Sequence, residues 1–197
     1  MCNLFSWKKK FRLALAASGL MACSIFAGCG GDSGGAGNAD QIAVGSNFEL
    51  TGNVAQYGTN AAKGFELAVK EVNDAGGING KTIKIVTADN KSDAAESVNA
   101  ATKLISDDKV VAIIGPAVTA NVIAESQVAA DAKVPVIAPA ATNPDVTVEN
   151  GTLKEFIFRS CFIDPQQSAV MAQFAANDLN ARTAVLYLDS SSDYSKS

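Results

Sequence analysis

The 197-residue sequence contains no histidine. This absence excludes serine–histidine–aspartate and cysteine–histidine catalytic pairs, zinc and iron sites with histidine ligands, and the usual proton shuttle near neutral pH. Cysteine is scarce, with four residues. Because 48% of the residues are hydrophobic and only 18% are charged, the chain is too apolar to be disordered. The length corresponds to one or two globular domains.

The N-terminal stretch is typical of a secretory signal. Four basic residues between positions 8 and 12 precede an apolar, small-residue run over residues 13–28. The run is too short, and too rich in Ala, Ser and Gly, to favour a membrane span. We therefore interpret residues 1–28 as a signal peptide that is removed from the mature protein.

The end of this run, Phe26-Ala27-Gly28-Cys29, resembles a bacterial lipobox. In that class of signals the cysteine carries a thioether-linked lipid and becomes the first mature residue, so the resemblance implies that Cys29 is lipidated. Ordinary cleavage after Ala27 or Gly28 is the alternative. Residues 29–40 contain many glycines and are interpreted as a flexible tether.

The mature chain is acidic. Residues 29–197 retain 12 of the 16 basic residues and all 20 acidic residues, a net charge of −8. With no cluster of Lys and Arg, this charge argues against binding to nucleic acid or to anionic lipid. Cys161 would be the only thiol left free, which excludes an intramolecular disulfide, and its apolar surroundings favour a small buried residue over a nucleophile.

From residue 41 onward, strand-like and helix-like patterns alternate. Strands are predicted over residues 42–45, 82–86, 110–114 and 134–137. Helices are predicted over residues 60–73, from Asp93 to about residue 105, and over residues 121–132. Strands separated by helices of this length form right-handed crossovers and a parallel sheet, so the predicted fold class is α/β and doubly wound.

The pattern changes after residue 137. A polar loop is followed by a predicted strand over residues 156–160, a helix over 165–179 and a strand over 183–188. One helix and one strand cannot enclose a core. We therefore expect residues 41–160 to form a complete first lobe, and residues 161–197 to begin a second lobe that is truncated.

Three loops are expected at the carboxyl ends of the strands, where open α/β sheets bind ligands. The loop over residues 115–119 offers a hydroxyl, on Thr119, and free amides at a helix start, which favour a carboxylate, although Thr119 could instead be a helix cap. The small residues of the loop over 138–144 would let a ligand approach its backbone. The alternative is that this loop is only a turn that contains prolines. The third loop, over residues 52–58, places Tyr57 at the same edge, and the alternative is that Tyr57 covers the core.

Taken together, the phrases in these loops resemble the branched-chain amino-acid (Leu/Ile/Val) binding proteins of bacterial uptake systems. These are type I periplasmic solute-binding proteins that serve an ABC transporter. The resemblance runs in order from about Ile42 to Tyr194. The phrases that carry it are Leu50-Thr51-Gly52, Gln56-Tyr57-Gly58, Glu71-Val72-Asn73-Asp74-Ala75-Gly76-Gly77-Ile78-Asn79-Gly80, Ile114-Gly115-Pro116, Pro139-Ala140-Ala141-Thr142-Asn143-Pro144 and Phe158-Arg159.

The resemblance implies a ligand held between two lobes. It implies that Thr119 binds the ligand carboxylate, that Ala140 and Thr142 bind the zwitterion, and that Tyr57 lies against the ligand. Tyr194 would close over the ligand from the second lobe, although Ser195 replaces the glycine of the family's Asp-Tyr-Gly phrase. The residues expected at the ligand are Tyr57, Thr119, Ala140, Ala141, Thr142 and Tyr194.

We therefore expect a lipid-anchored receptor in the periplasm or on the outer cell surface. It would act as a monomer without metal or cofactor, bind an amino acid, most simply a branched-chain one, and deliver it to the membrane subunits of an ABC permease. The alternatives within the fold are a sensory ligand-binding module and a binder of amides, urea or aromatic acids. A secreted hydrolase or nucleotide binder is disfavoured, because Gly45-Ser46-Asn47-Phe48 is not a phosphate-binding motif.

Overall fold

The computed structural model describes residues 41–192 and 194–196. The predicted signal peptide, the tether and Cys29 lie outside the described residues. None of the described helices combines the length and the apolar character that a membrane crossing requires.

The described chain alternates strands and helices. The helices are α1 (Ala55–Asp74), α2 (Ala94–Ser106), α3 (Thr119–Ala132) and α4 (Asp164–Asn177), with a 3₁₀ turn at Pro144–Val146. The strands are β1 (Gln41–Phe48), β2 (Thr82–Asp89), β3 (Ile113–Ile114), β4 (Val136–Ala138), β5 (Val148–Glu149), β6 (Thr152–Leu153) and β7 (Ile157–Arg159).

Five of the strands form one parallel sheet in the order β2-β1-β3-β4-β7, while β5 and β6 pair with each other in antiparallel fashion. The predicted α/β fold class with a parallel sheet is thus confirmed. The direction in which successive strands are added to the sheet reverses at β1, because β2 lies on one side of β1 and β3 on the other. Ligands of doubly wound sheets bind beside such a reversal, at the carboxyl ends of the strands.

Right-handed crossovers that run in opposite directions place their helices on opposite faces of a sheet. The packing agrees, because the core has two parts. The larger cluster includes Leu104 of α2 and Val122 of α3, packed with Ile113, while the smaller one joins Phe48 to Ala62 of α1. The sheet is therefore covered on both faces, which accounts for the continuous apolar sequence around β3.

The structure corrects the predicted element bounds at several places. Helix α1 begins at Ala55 and α3 at Thr119, both earlier than predicted, while β3 is only two residues long. The predicted strand over 183–188 is wrong, since residues 181–189 have no regular structure and Tyr187 is 96% exposed. A strand requires a hydrogen-bonded neighbour, and none of the described strands pairs with this apolar run.

Gly58 allows α1 to lie directly on the end of β1. A Cβ at Gly58 would lie 2.3 Å from the carbonyl oxygen of Glu49 and 2.6 Å from its amide nitrogen. These are backbone atoms, which cannot rotate away. The first turn of α1 is therefore fixed against the chain at Glu49 by the absence of a side chain.

Arg159, at the end of β7, fixes the loop that follows β4. Its Nη1 donates to the carbonyl oxygens of Ala141 at 3.2 Å and Asn143 at 2.8 Å, and its Nη2 donates to Pro144 O at 3.0 Å and Thr147 Oγ1 at 2.7 Å. The planar fork of the guanidinium group thus satisfies four acceptors at once, a geometry that lysine cannot reproduce.

We predict that Gly58→Ala destabilises the protein by roughly 1–3 kcal/mol, since the added methyl group forces α1 away from Glu49. Gly64→Ala in the same helix is the matched control, because a Cβ there would meet no atom within 4 Å. The control should stabilise the protein by up to about 1 kcal/mol through helix propensity. Urea unfolding of the two variants checks this, and equal effects would contradict the packing at Gly58.

We predict that Arg159→Lys lowers the free energy of unfolding by roughly 1.5–3 kcal/mol, because several charge-assisted hydrogen bonds are lost. Arg182→Lys, at an exposed position, serves as the control and should change it little. Thermal and urea unfolding measure both. A variant at position 159 as stable as the wild type would show that the guanidinium does not fix the loop.

Candidate functional site

A half-open crevice of about 540 Å³ lies at the carboxyl ends of β1, β2, β3 and β4. Its walls come from the start of α1, the start of α3 and the loops after β2 and β4, together with Ser191, Ser192 and Tyr194. The crevice therefore lies at the reversal of the sheet, where the topology alone predicts a ligand site.

Five of the six residues predicted at the ligand line this crevice. They are Tyr57, Thr119, Ala140, Thr142 and Tyr194. The sixth, Ala141, does not line it, since its side chain is fully buried and its carbonyl oxygen accepts hydrogen bonds from Arg159. The geometry brings the five together, and their contacts with a ligand stay a prediction.

Tyr57 lies within the first turns of α1 rather than in a loop. Its side chain is 66% exposed, so it does not serve as cover for the core. The fixed approach of α1 at Gly58, the next residue, holds Tyr57 at the rim. An aromatic ring held this way offers a large apolar contact with few degrees of freedom to lose.

Thr119 is the first residue of α3 and is nearly fully buried. The helix cap is Val118, whose side chain makes no capping hydrogen bond, so the alternative that Thr119 is the cap is wrong. The amides of Thr119, Ala120 and Asn121 occupy the first turn, where a helix supplies no acceptor of its own. All three residues line the crevice, which leaves this helix end facing it.

Glu49, which was not predicted as a site residue from the sequence, occupies part of the same helix end. Its carboxylate oxygens accept hydrogen bonds from the amide of Ala117 at 3.0 Å, the amide of Val118 at 3.3 Å and Asn121 Nδ2 at 2.9 Å. Glu49 is fully buried. The two loop amides expected to be free for a ligand are thus already bonded to a side chain of the protein.

Thr142 follows β4 and is also buried. Its Oγ1 has no hydrogen-bond partner among the described residues, and a buried hydroxyl without a partner is uncommon in folded proteins. Its main-chain carbonyl accepts from the amide of Asp164 at 3.2 Å, which joins the loop to the start of α4. The hydroxyl is therefore a group with unused bonding capacity beside the crevice.

The lining of the crevice carries no charged side chain among the described residues. Polar groups alternate with apolar ones such as Val118 and Phe162. Asn53, in the loop that was expected at this edge, also lines the crevice. Three further lining residues were not predicted from the sequence, namely Ser92, Phe162 and Gln167. Ser92 follows β2 and could have been found by the same rule.

Cys161 lies near the site but is not suited to be a nucleophile. It is partly buried, its Sγ lies 3.6 Å from the carbonyl oxygen of Ala141, and burial raises the pKa of its thiol above the ordinary value. A raised pKa means less thiolate at neutral pH. The described residues also contain no cluster of acidic and cysteine side chains spaced to hold a metal.

The sequence is similar to those of known proteins. The family described as periplasmic binding protein matches residues 41–196. An amino acid binding protein of Pseudomonas aeruginosa is 34% identical over 92% of this chain and 46% of its own length. A Leu/Ile/Val-binding protein homolog of Brucella abortus is 40% identical over 78% of this chain and 40% of its own length. The chain therefore spans less than half the length of these relatives.

A solved structure shares the fold. The branched-chain amino acid transporter substrate binding protein of Streptococcus pneumoniae, in complex with isoleucine, superposes with a TM-score of 0.74 at 42% identity. The match covers 79% of this chain and 44% of the other. Together with the family match over most of its length, this similarity shows that the chain belongs to the periplasmic binding protein family.

Proposed function

We propose that this protein is an extracytoplasmic solute-binding protein of an ABC uptake system and that its ligand is an amino acid, most simply a branched-chain one. The observation that carries the proposal is a crevice whose described lining has no charged side chain, and in which the start of α3, with Thr119, lies beside the loop of Ala140 and Thr142. The protein would bind without catalysing a reaction and would deliver the ligand to a membrane permease.

The electrostatics of the crevice favour a ligand with no net charge but with two charged ends. The first-turn amides of α3 and the hydroxyl of Thr119 suit a carboxylate, because the positive end of a helix dipole favours an anion there. The main-chain carbonyl of Ala140 and the hydroxyl of Thr142 supply acceptors for an ammonium group. With no charged side chain in the described lining, a zwitterion is matched and a net ion is not.

The apolar part of the crevice favours an aliphatic side chain. Tyr57 and Phe162 are 66% and 52% exposed, and both line the crevice together with Val118. A volume of about 540 Å³ falls within the range of small-molecule sites. The relatives support this choice, since one is named a Leu/Ile/Val-binding protein and one structure holds isoleucine.

We further propose that the protein reaches its site of action as a lipoprotein, anchored through Cys29 and held by the tether of residues 29–40. Membership of a periplasmic binding family supports an extracytoplasmic location. One or more acyl chains on a terminal cysteine hold a protein at a membrane through burial of their methylene groups.

We predict that isoleucine and leucine raise the melting temperature of the full-length protein, because a ligand that binds the folded state stabilises it.

Thr119→Val should weaken this binding roughly 10- to 150-fold, because it removes one charge-assisted hydrogen bond of about 1.5–3 kcal/mol. Thr102→Val is the matched control, since that hydroxyl bonds to Val98 O of its own helix, outside the crevice. Calorimetric titration measures both.

The panel should also contain amides, urea and aromatic acids. A response to one of these and to no amino acid would overturn the proposed ligand class. Unchanged isoleucine affinity in Thr119→Val would remove Thr119 from the site while leaving the ligand class intact.

We predict that Cys29→Ala shifts the protein from the membrane fraction to the soluble fraction and abolishes labelling with a radioactive fatty acid. Cys161→Ala serves as the control and should remain in the membrane fraction, because that residue lies within the folded part of the chain. Membrane association that persists in Cys29→Ala would contradict the lipid anchor.

A further inference from the structure

A buried carboxyl group outside the crevice joins three elements of the fold. Glu125, on α3, is fully buried, and its Oε2 accepts hydrogen bonds from Asn47 Nδ2 at 2.5 Å and from Ser97 Oγ at 2.8 Å. Asn47 lies in β1 and Ser97 in α2, and both are also fully buried. Neither Glu125 nor Asn47 lines the crevice.

One side-chain oxygen of Glu125 and the single side-chain oxygen of Asn47 lack a partner. Glu125 Oε1 and Asn47 Oδ1 are both buried without a hydrogen bond among the described residues. Exchanging the positions of Oδ1 and Nδ2 in the Asn47 amide would not supply the donor, because Nδ2 in its present position also donates to Ser97 O at 3.2 Å. The two side chains are already joined by the Nδ2–Oε2 hydrogen bond, and each therefore carries one acceptor for which a donor is missing.

A single proton satisfies both oxygens. A carboxylic acid and a primary amide form a planar cyclic pair, in which the amide N–H donates to one carboxyl oxygen and the carboxyl O–H donates to the amide oxygen. The first of these two bonds is present. We propose that Glu125 is a neutral carboxylic acid whose Oε1–H donates to Asn47 Oδ1, and that this cyclic pair makes Glu125 a positioning residue for α3.

The surroundings of Glu125 favour the neutral form. Burial raises the pKa of Glu125 well above 4.5, the donors Ser97 and Asn47 act in the opposite direction, and the nearby carboxylate of Glu49 raises the pKa further. An unpaired carboxylate in the interior would carry a large desolvation cost, whereas the neutral acid does not.

The other charged groups on elements packed against α3 are committed elsewhere or exposed. Strand β4 carries none. Arg159 of β7 donates to the loop carbonyls, Asp145 of the 3₁₀ turn is exposed, and on α2 Glu96 pairs with Lys91 and Lys103 with Asp108. Among the described residues, Glu49 is thus the charged group with a direct influence on Glu125.

The pair acts on the crevice through α3. Thr119 lies six residues before Glu125 on the same helix, and Ser97 Oγ also lies 3.2 Å from the carbonyl oxygen of Asn121, in the first turn. Fixing Glu125 against β1 therefore fixes the helix end that faces the crevice. This consequence for ligand binding rests on the proposed function, whereas the pairing itself does not.

The pH dependence of stability tests the pairing in the full chain without any ligand. Glu125→Gln places an amide N–H where the proposed O–H lies, so it keeps both bonds and cannot ionise. The stability that the neutral acid contributes is complete below the ordinary glutamate pKa and is lost as pH rises through the raised value in the folded protein. Relative to Glu125→Gln, the folding equilibrium constant of the wild type should fall about tenfold per pH unit across that window.

Glu66→Gln, at an exposed position on α1, is the matched control and should leave the pH profile unchanged. A wild-type profile parallel to that of Glu125→Gln between about pH 5 and pH 9 would overturn the proposal. A Glu125→Gln variant that is a hundredfold less stable than the wild type at every pH would also overturn it. Glutamine replaces one acceptor oxygen by an N–H donor, and this exchange is harmful only if Glu125 is ionised and uses both oxygens as acceptors.

Two further measurements keep the test independent of any one variant. Infrared spectra of the wild type at neutral pH should contain the carbonyl band of a buried carboxylic acid, and its absence would overturn the proposal.

Asn47→Asp should be at least tenfold less stable than the wild type at neutral pH, because it places two carboxyl groups together. Adding Glu125→Gln should restore stability, since the new amide then donates to Asp, and failure of this rescue would contradict the pairing.

If the full-length protein binds no amino acid, the proposed function fails while these stability results still stand. If it binds, the same pH rise should weaken isoleucine affinity in the wild type but not in Glu125→Gln. An identical pH dependence of affinity in the two proteins would remove the link from Glu125 to the crevice.

Discussion

The buried carboxylate of Glu49 is the interaction on which the geometry of the crevice depends. It accepts hydrogen bonds from two loop amides and one side chain at the start of α3, so the end of β1 and the beginning of that helix form one unit. The main chain of the same residue receives α1 at Gly58. One position therefore sets both the wall that carries Tyr57 and the wall that carries Thr119.

Most of the fold could be predicted from the sequence because its signals are local. Alternation of strand and helix patterns indicates a parallel sheet, and the right-handed crossover restricts the possible orders. The bounds were less predictable, because the starts of α1 and α3 depend on contacts with Glu49 rather than on capping residues. The run over 183–188 was predicted as a strand from its own pattern, whereas strand formation depends on a neighbour that the pattern does not specify.

The lining of the site was predictable where topology alone decides it. Thr119, Thr142 and Tyr57 follow strands whose carboxyl ends converge, so their positions follow from the sheet. Ala141, between two lining residues, does not line the crevice, because its side chain is fully buried and its carbonyl oxygen accepts a hydrogen bond from Arg159. No local pattern in the sequence specifies that bond.

The acidic residues Glu49 and Glu125 were missed, since a charged side chain in sequence normally indicates a solvent-facing position. Only three-dimensional packing shows that each is enclosed and accepts hydrogen bonds from buried donors. Buried polar groups of this kind are satisfied by residues distant along the chain, such as the 78 positions that separate Asn47 from Glu125. No local pattern contains that pairing.

The described lining of the crevice has no charged side chain, and this has a consequence for the effect of dissolved salt on binding. Dissolved ions screen attraction between separated charges, but they act weakly on short, desolvated hydrogen bonds and on apolar contact. A solute without net charge gains nothing from long-range steering toward such a wall and loses nothing when steering is screened. The first encounter of such a solute with the crevice would then depend little on the ionic strength of the medium.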